Sequence, residues 1–431
     1  MNVTVLGLGY IGLPTAAMLA CAGHRVVGVD VNQALLDDIC SGCRHLAEVE
    51  IRTLTKAALD SGNLRVSVTL SDIADAYIIC VPTPTTEHKP DLHYVREAAN
   101  TVARHARDGS LIVLESTVPP GTVENVLVRA LEFAGKNPDR FYIAHCPERV
   151  IPGNIFRELR HNARVVGGRR PIDADKASDL YASFCLGEIC TTDCTTAELV
   201  KIVENTFRDV NLAFANELAL LAEALKVDVW EVIRIANKHP RVNVLRPGPG
   251  VGGHCIPVDP TFLSDANPFV TELIQVARRV NERMPHAAVR LVDEMLGPSR
   301  ANAKIALLGA AYKGDVDDTR ESPAQTIARL LIERGNEVTI YDPIARAFAY
   351  PLSTTLESAL EGADALVLVT DHSVFRKLDP MPLAGLMRRA LLLDTRNALD
   401  SERWTRAGFT VRTLGTSLRR QPETDTAIKS A

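Results

Sequence analysis

Val3-Thr4-Val5-Leu6-Gly7-Leu8-Gly9-Tyr10-Ile11-Gly12 is the stretch on which the fold turns. An apolar, β-branched run makes a strand buried on both faces, and three glycines then open a helix. At this spacing Gly7 permits the tight turn, Gly9 lets a pyrophosphate approach the backbone, and Gly12 lets helix and strand pack closely. Tyr10 and Ile11 lie in the same loop. Asp30 ends the next strand, 23 residues after Gly7, where a carboxylate takes the ribose hydroxyls of a dinucleotide. Asp30-Val31-Asn32 offers an acid and no arginine for a 2′-phosphate, so NAD is expected rather than NADP.

Outward from this loop the pattern repeats. Val26–Val29, Ala76–Val81, Leu111–Leu114 and Phe141–Ala144 read as further buried strands, alternating with helical stretches near 13–21, 33–41, 92–106 and 122–133. From Ala197 to Leu225 apolar residues recur at helical spacing over about eight turns without Gly or Pro. Helices over 229–237 and 268–296 follow. After Gly297-Pro298-Ser299, strands at Lys304–Leu308, Glu337–Tyr341, Ala365–Val369 and Ala390–Leu393 resume, with a helix at Pro323–Glu333. The fold expected is α/β, with two Rossmann-like doubly wound parallel-sheet domains joined by a helical middle domain around one long central helix. The divisions fall at 1–194, 195–297 and 298–418, and a polar tail, 419–431, is expected to be disordered.

Composition sets the class. The 431 residues suffice for several domains, and a net charge of −5 argues against a nucleic-acid partner. The run from Val3 to Gly23 has no charge, but no basic stretch precedes it and its glycines are placed for a strand–helix turn, so no membrane association is expected. Nine cysteines fit a reducing cytoplasm better than a disulfide framework. Cys40-Ser41-Gly42-Cys43 has zinc-like spacing without a second ligand pair, so no metal is expected.

Candidate site residues collect after strands. Thr83, Ser116 and Thr117 follow two of them, where open α/β sheets bind ligands; singly, such residues are caps or turn residues. Cys146-Pro147-Glu148-Arg149-Val150 follows another and sets an acid beside a base. Lys201, Asn205, Arg208 and Asn211 share one face of the long helix, with cations and amides but no carboxylate. His239 and Arg241 lead to Pro247-Gly248-Pro249-Gly250-Val251-Gly252-Gly253-His254-Cys255, with Asp259 four residues on. Glycines there leave backbone room for a ligand beside a nucleophilic thiol. Tyr312-Lys313 and Asp318-Thr319-Arg320 lie between a strand and a helix, a natural phosphate site.

GLGYIG, VPTP, ESTVPPG, CPERV, KIVENTFRDVN, PGPGVGGHCIPVDP and DDTRESPA occur in this order across nearly the whole chain, which thereby resembles the UDP-glucose/GDP-mannose dehydrogenases. FRDVNLAFANEL and ANKHPRVN most resemble the branch acting on UDP-N-acetyl-D-mannosamine. The resemblance implies an NAD domain, a dimer-forming helical middle and a UDP-binding domain, in a homodimer. It implies oxidation of a sugar C6 alcohol to a carboxylate with two NAD, through an aldehyde, a thiohemiacetal and a thioester on Cys255. Lys201 would stabilise negative charge on the C6 oxygen or move a proton, with Asn205 nearby, Asp259 would position a water, and Glu148 would be the base of thioester hydrolysis beside water held at Thr117. Arg149, Val150, Arg208, Asn211, His239 and Arg241 would hold the nucleotide sugar, with Gly250, Tyr312 and Lys313, while Arg320 would lie near NAD. UDP-N-acetylglucosamine, UDP-glucose and GDP-mannose remain alternative substrates. A two-electron hydroxyacid-type dehydrogenase, sharing the first-domain fold without needing Cys255, and a non-catalytic nucleotide-sugar sensor are the competing readings.

Overall fold

The computed structural model describes residues 1–42, 48–70, 73–86, 89–150, 153–300 and 302–416. The expected tail at 419–431 and Cys43 lie outside them. The chain divides into two compact units, Met1–Asn205 with Val258–Val270, and Thr206–Pro257 with the chain from Thr271 onward. Among the described residues no helix is long and apolar enough to cross a membrane.

The first unit is built on β1 (Asn2–Leu6), β2 (Arg25–Val29), β3 (Leu64–Ser67), β4 (Ala76–Ile79), the two-residue ladder β5 (Thr85–Thr86) and β6 (Lys89–Pro90), β7 (Leu111–Leu114), β8 (Tyr142–His145), β9 (Arg164–Gly168) and β10 (Ile189–Asp193). The main sheet runs β10-β9-β8-β7-β4-β1-β2-β3. It is parallel from β8 through β3, β9 joins β8 antiparallel, and β10 is parallel to β9. Val3, Val5 and Ile78 lie in one apolar layer and Leu6, Tyr77, Ile79 and Ile112 in another, as a sheet covered on both faces requires. The direction of winding changes between β1 and β4. There the ends of two neighbouring strands diverge and leave a crevice for a ligand.

The second unit holds a parallel sheet in the order β12-β11-β13-β14-β15, from β11 (Lys304–Leu308), β12 (Glu337–Tyr341), β13 (Ala365–Leu368), β14 (Leu391–Asp394) and β15 (Thr410–Thr413). One helix, Cys194–Leu225, carries the chain from the first unit into the second. Within the second unit its Asp209 is buried and bonded by Arg278 at 2.6 Å and Asn281 at 2.8 Å from the helix Glu272–Leu296. Burial raises the Asp209 carboxyl while Arg278 opposes it.

Two helices depart from expectation. The one expected from Pro268 begins at Glu272; Asn267, extended ahead of Pro268, instead ends the preceding helix Asp259–Ala266. The one expected over 122–133 is a π-turn, Val123–Val128, continued by Arg129–Phe133. Glu198 explains its anchorage: its carboxylate accepts the Gly121 and Val123 backbone N–H groups, at 2.5 and 2.8 Å. Burial pushes that carboxyl up to about 7.

Candidate active site

The cofactor loop divides its glycines by function. Gly7 has φ +89°, and a Cβ on it would lie 2.5 Å from the Cys80 carbonyl oxygen. A Cβ on Gly12 would lie 1.9 Å from the Gly7 carbonyl oxygen. Both are therefore demanded by the protein's own packing. Gly9 differs, because a Cβ there would meet nothing within 4 Å. That open space over the loop, ahead of the helix Gly12–Cys21, is where a pyrophosphate would sit.

Asp30 is oriented for its part. Its carboxylate accepts the Leu8 N–H at 2.8 Å and the Asn32 N–H at 2.9 Å. Tyr10 is partly exposed and donates its hydroxyl to Glu48 at 3.2 Å, and Ile11 is half-buried. Thr83, just past β4, has a buried hydroxyl oxygen without a protein partner, suited to a ligand's polar atom. Ser116 donates its hydroxyl to the Val81 carbonyl at 2.7 Å and so ties two strand ends together. Thr117 is half-buried beside it. These features fit NAD.

The second sheet repeats the turn with a different outcome. Gly309 donates to Tyr341 across β11 and β12 at 2.8 Å, as Gly7 donates to Val29. Asp342, in the place of Asp30, accepts the Ala310 N–H at 2.7 Å. Its carboxylate is also bonded to the buried His372 at 3.0 Å, and His372 and the backbone amides outweigh burial to hold it well below the usual range. A carboxylate spent on a buried histidine is not offered to ribose hydroxyls.

A charged cluster lies behind the strand ends of the first unit. Glu148 is 9% exposed and accepts Arg164 Nη2 at 3.1 Å and the Arg149 N–H at 2.6 Å. Arg164 opens β9 and lies 4.7 Å over the Tyr181 ring. Its Nη1 is 3.5 Å from Glu115 Oε1. Neither Arg164 nor Glu115 was assigned a role from sequence: an arginine opening a β-branched strand reads as an edge residue, and a glutamate before Ser-Thr as a solvated turn. Arg149 is paired with Glu204 at 2.5 Å and donates to the Ala163 carbonyl at 2.8 Å; Val150 is half-buried. On the long helix Lys201 and Asn205 are half-buried, and Asn205 donates to the buried Asp259 at 2.5 Å.

The remaining candidates belong to the second unit. Arg208, His239 and Arg241 are exposed, and Asn211 donates to the Phe207 carbonyl at 2.6 Å. The cysteine loop is anchored where Gly248 donates to the buried Asn216 side chain at 2.9 Å. Its glycines correct the expectation of ligand room. A Cβ on Gly250 would meet Pro323 and Pro285 at 3.2 and 3.3 Å, one on Gly252 the Glu321 carbonyl at 2.6 Å, and one on Gly253 the Tyr312 ring at 3.0 Å. Protein groups already fill those spaces, so these glycines serve packing of the loop itself. Tyr312 therefore lies against the loop, and Lys313 beside it is exposed.

Cys255 is half-buried next to His254. His254 Nδ1 is 3.8 Å from Asp318, and Asp318 with the neighbouring thiol pushes the imidazole up to about 9. Arg320 also pairs with Asp318, at 2.6 Å; against partial burial, His254 and Arg320 hold that carboxyl well below its usual range. A cationic imidazole thus stands beside the thiol. His254 stood inside the quoted motif, but nothing local in sequence reveals Asp318 as its partner.

Comparison with known proteins agrees with this arrangement. Residues 1–185, 195–283 and 306–401 match the NAD binding, central and UDP binding domains of the UDP-glucose/GDP-mannose dehydrogenase family. The chain is 44% identical over 421 residues to a UDP-N-acetyl-D-mannosamine dehydrogenase of Methanocaldococcus jannaschii, covering 96% of each protein. It is 41% identical over 419 residues to an NDP-N-acetyl-D-galactosaminuronic acid dehydrogenase of Ralstonia nicotianae, covering 93% of this chain and 97% of the other. The structure of UDP-D-ManNAc dehydrogenase from Pyrococcus horikoshii superimposes with a TM-score of 0.90 at 44% identity, over 96% of this chain and 99% of that one. With all three domains present in order along one polypeptide, the protein belongs to the UDP-glucose/GDP-mannose dehydrogenase family, whose members are NAD-dependent dehydrogenases of nucleotide sugars.

Proposed function

We propose that this chain converts UDP-N-acetyl-D-mannosamine to UDP-N-acetyl-D-mannosaminuronate in a four-electron oxidation at C6. The observation that carries it is Cys255 beside a cationic His254, in a chain whose relatives of 44% identity are named for that sugar. NAD, when bound, accepts one hydride from C6 in each of two oxidations. Lys201 and Asn205 stabilise negative charge on the C6 oxygen, and Asp259, bonded to Asn205, orients the water through which the proton leaves. The Cys255 thiolate adds to the aldehyde as a thiohemiacetal and keeps it bound. The second oxidation leaves a thioester. Glu148 then takes a proton from water held at Thr117, and the carboxylate is released.

Arg149, Arg208, Arg241 and Lys313 neutralise the diphosphate, and Arg320 lies near the phosphates of substrate and NAD. Val150, Asn211, His239 and Tyr312 shape the rest of the substrate site. The division at 194/195 and 297/298 into NAD, helical and UDP-sugar domains belongs to the same reading.

Two NADH per sugar are expected, counted by absorbance against limiting substrate; one per sugar would establish a two-electron dehydrogenase instead. Of UDP-N-acetylmannosamine, UDP-N-acetylglucosamine, UDP-glucose and GDP-mannose, the first should have the highest kcat/KM. A preference for another would overturn the sugar assignment and leave the chemistry standing.

The same reading includes a homodimer. On the helix Cys194–Leu225 the exposed apolar residues Val203, Phe207, Phe214, Leu221 and Leu225 recur at intervals of four and seven. Such a stripe is suited to burial against a second copy. Sedimentation should give twice the chain mass, and a monomer at micromolar concentration would refute it. The described cysteines are all unpaired, in keeping with the cytoplasm as the working compartment.

A further inference from the structure

Glu115 lies beyond the residues to which the proposed chemistry gives work, yet it is among the most deeply buried carboxyls of the first unit, at 2% exposure. Two neutral donors face it: the Tyr181 hydroxyl at 3.3 Å from the helix Pro171–Tyr181, and the Cys80 thiol at 2.7 Å from the end of β4. Among the described residues the cation paired with it is Arg164, which is 5% exposed and is also bonded to Glu148. Arg164 further touches the Cys146 sulfur at 3.7 Å, at the end of β8. One buried guanidinium thus serves two carboxyls. Ionising both would leave a net negative charge in a medium that solvates it poorly.

We propose that Glu115 and Arg164 are positioning residues for Glu148, forming a charge-compensating triad in which one exchangeable proton decides which carboxylate the guanidinium serves. This rests on reading Glu148 as the base of thioester hydrolysis. With Glu115 protonated, Arg164 is committed to Glu148 and holds its carboxylate in place. With Glu115 ionised, the guanidinium is drawn between two anions and Glu148 is freer to accept the proton of the attacking water. When Glu148 takes that proton, Glu115 remains as the anion that keeps Arg164 neutralised. No electron moves, and the proton count closes on water and the two carboxyls.

The other titratable neighbours stay in one state through the working range. Burial pushes the Cys80 thiol and the Tyr181 phenol well up, and Cys146 up to about 12. Burial, opposed by Arg164 and reinforced by Glu148, pushes Glu115 up to about 7. Glu115 is therefore placed to change charge near neutrality. The sign for stability follows: a carboxyl raised on folding contributes most below its unfolded value and loses that contribution as pH rises through about 7.

The test compares wild type, Glu115→Gln, Glu115→Asp and Glu148→Gln. The wild-type rate of uronate release should rise about three- to tenfold with a midpoint near pH 7, as a base freed from its counterion takes a proton more readily. Glu115→Gln, a mimic of the protonated state, should match wild type at pH 6 and lack the rise. Glu115→Asp should retain a rise with a shifted midpoint. Infrared difference spectra of the folded proteins should show a protonated carboxyl titrating near pH 7 in wild type and missing in Glu115→Gln. A Glu115→Gln profile superimposable on wild type, or a carboxyl band untouched by the substitution, overturns the triad. Wild-type rate in Glu148→Gln would instead remove Glu148 as the base, so the two failures are told apart.

Discussion

Cys255→Ser is expected to lower uronate production by about 10⁴-fold or more, the scale seen when a covalent nucleophile is removed. Serine retains the shape and loses the readily ionised sulfur. His254, held cationic beside position 255 by Asp318, stabilises a neighbouring thiolate, but it has no proton-accepting capacity with which to activate a hydroxyl. The variant should bind NAD and sugar normally, because Cys255 is only half-buried and the loop is anchored through Gly248 and Asn216. It should release at most one NADH per active site, with the aldehyde recoverable by a carbonyl-trapping reagent. Uronate formation at the wild-type rate would remove sulfur from the chemistry, and with it the four-electron reading.

The second large effect separates two glycines three residues apart. Gly12→Ala places a methyl 1.9 Å from the Gly7 carbonyl oxygen and 3.0 Å from the Cys80 Cβ. Backbone must move, so a loss of about 1–3 kcal/mol in stability is expected, the range found for overpacked interiors. NAD affinity should fall at least about 100-fold as the turn opens, a loss of about 2.7 kcal/mol. Gly9→Val, in contrast, adds its side chain to open space. Its stability should stay within about 0.5 kcal/mol of wild type. Its NAD affinity should nevertheless fall by a comparable factor, because the added side chain occupies the pyrophosphate's place. Thermal unfolding and NAD titration of both variants give the two quantities. Unimpaired NAD binding by Gly9→Val would mean that the phosphates lie elsewhere.

Local rules made much of this molecule legible in its residues alone. A strand, a turn and a helix N-terminus are fixed by neighbours within a few positions, so Gly7, Gly12 and Asp30 were assignable before any coordinate. The same holds for β7, β11 and β12, whose bounds match the apolar runs, and for the helix Pro323–Glu333, opened by a capping serine and a proline. Element ends drifted where a proline or a π-turn intervened. Cys255 was singled out through the motif around it.

Tertiary structure alone decided the states of the ionisable groups. Glu115, Glu148 and Arg164 are 33 and 16 residues apart along the chain, and the two connections joining β7, β8 and β9 bring their charges into one buried place. His254 is paired with Asp318 from beyond β11, and Asp342 was withdrawn from ligand binding by His372 from beyond β13. The glycines at 250, 252 and 253 look open in sequence and are filled by Pro285, Tyr312, Glu321 and Pro323. The physical reason is common to all of them. Backbone conformation answers to residues a few positions away, whereas desolvation and Coulomb energy answer to whatever is nearest in space.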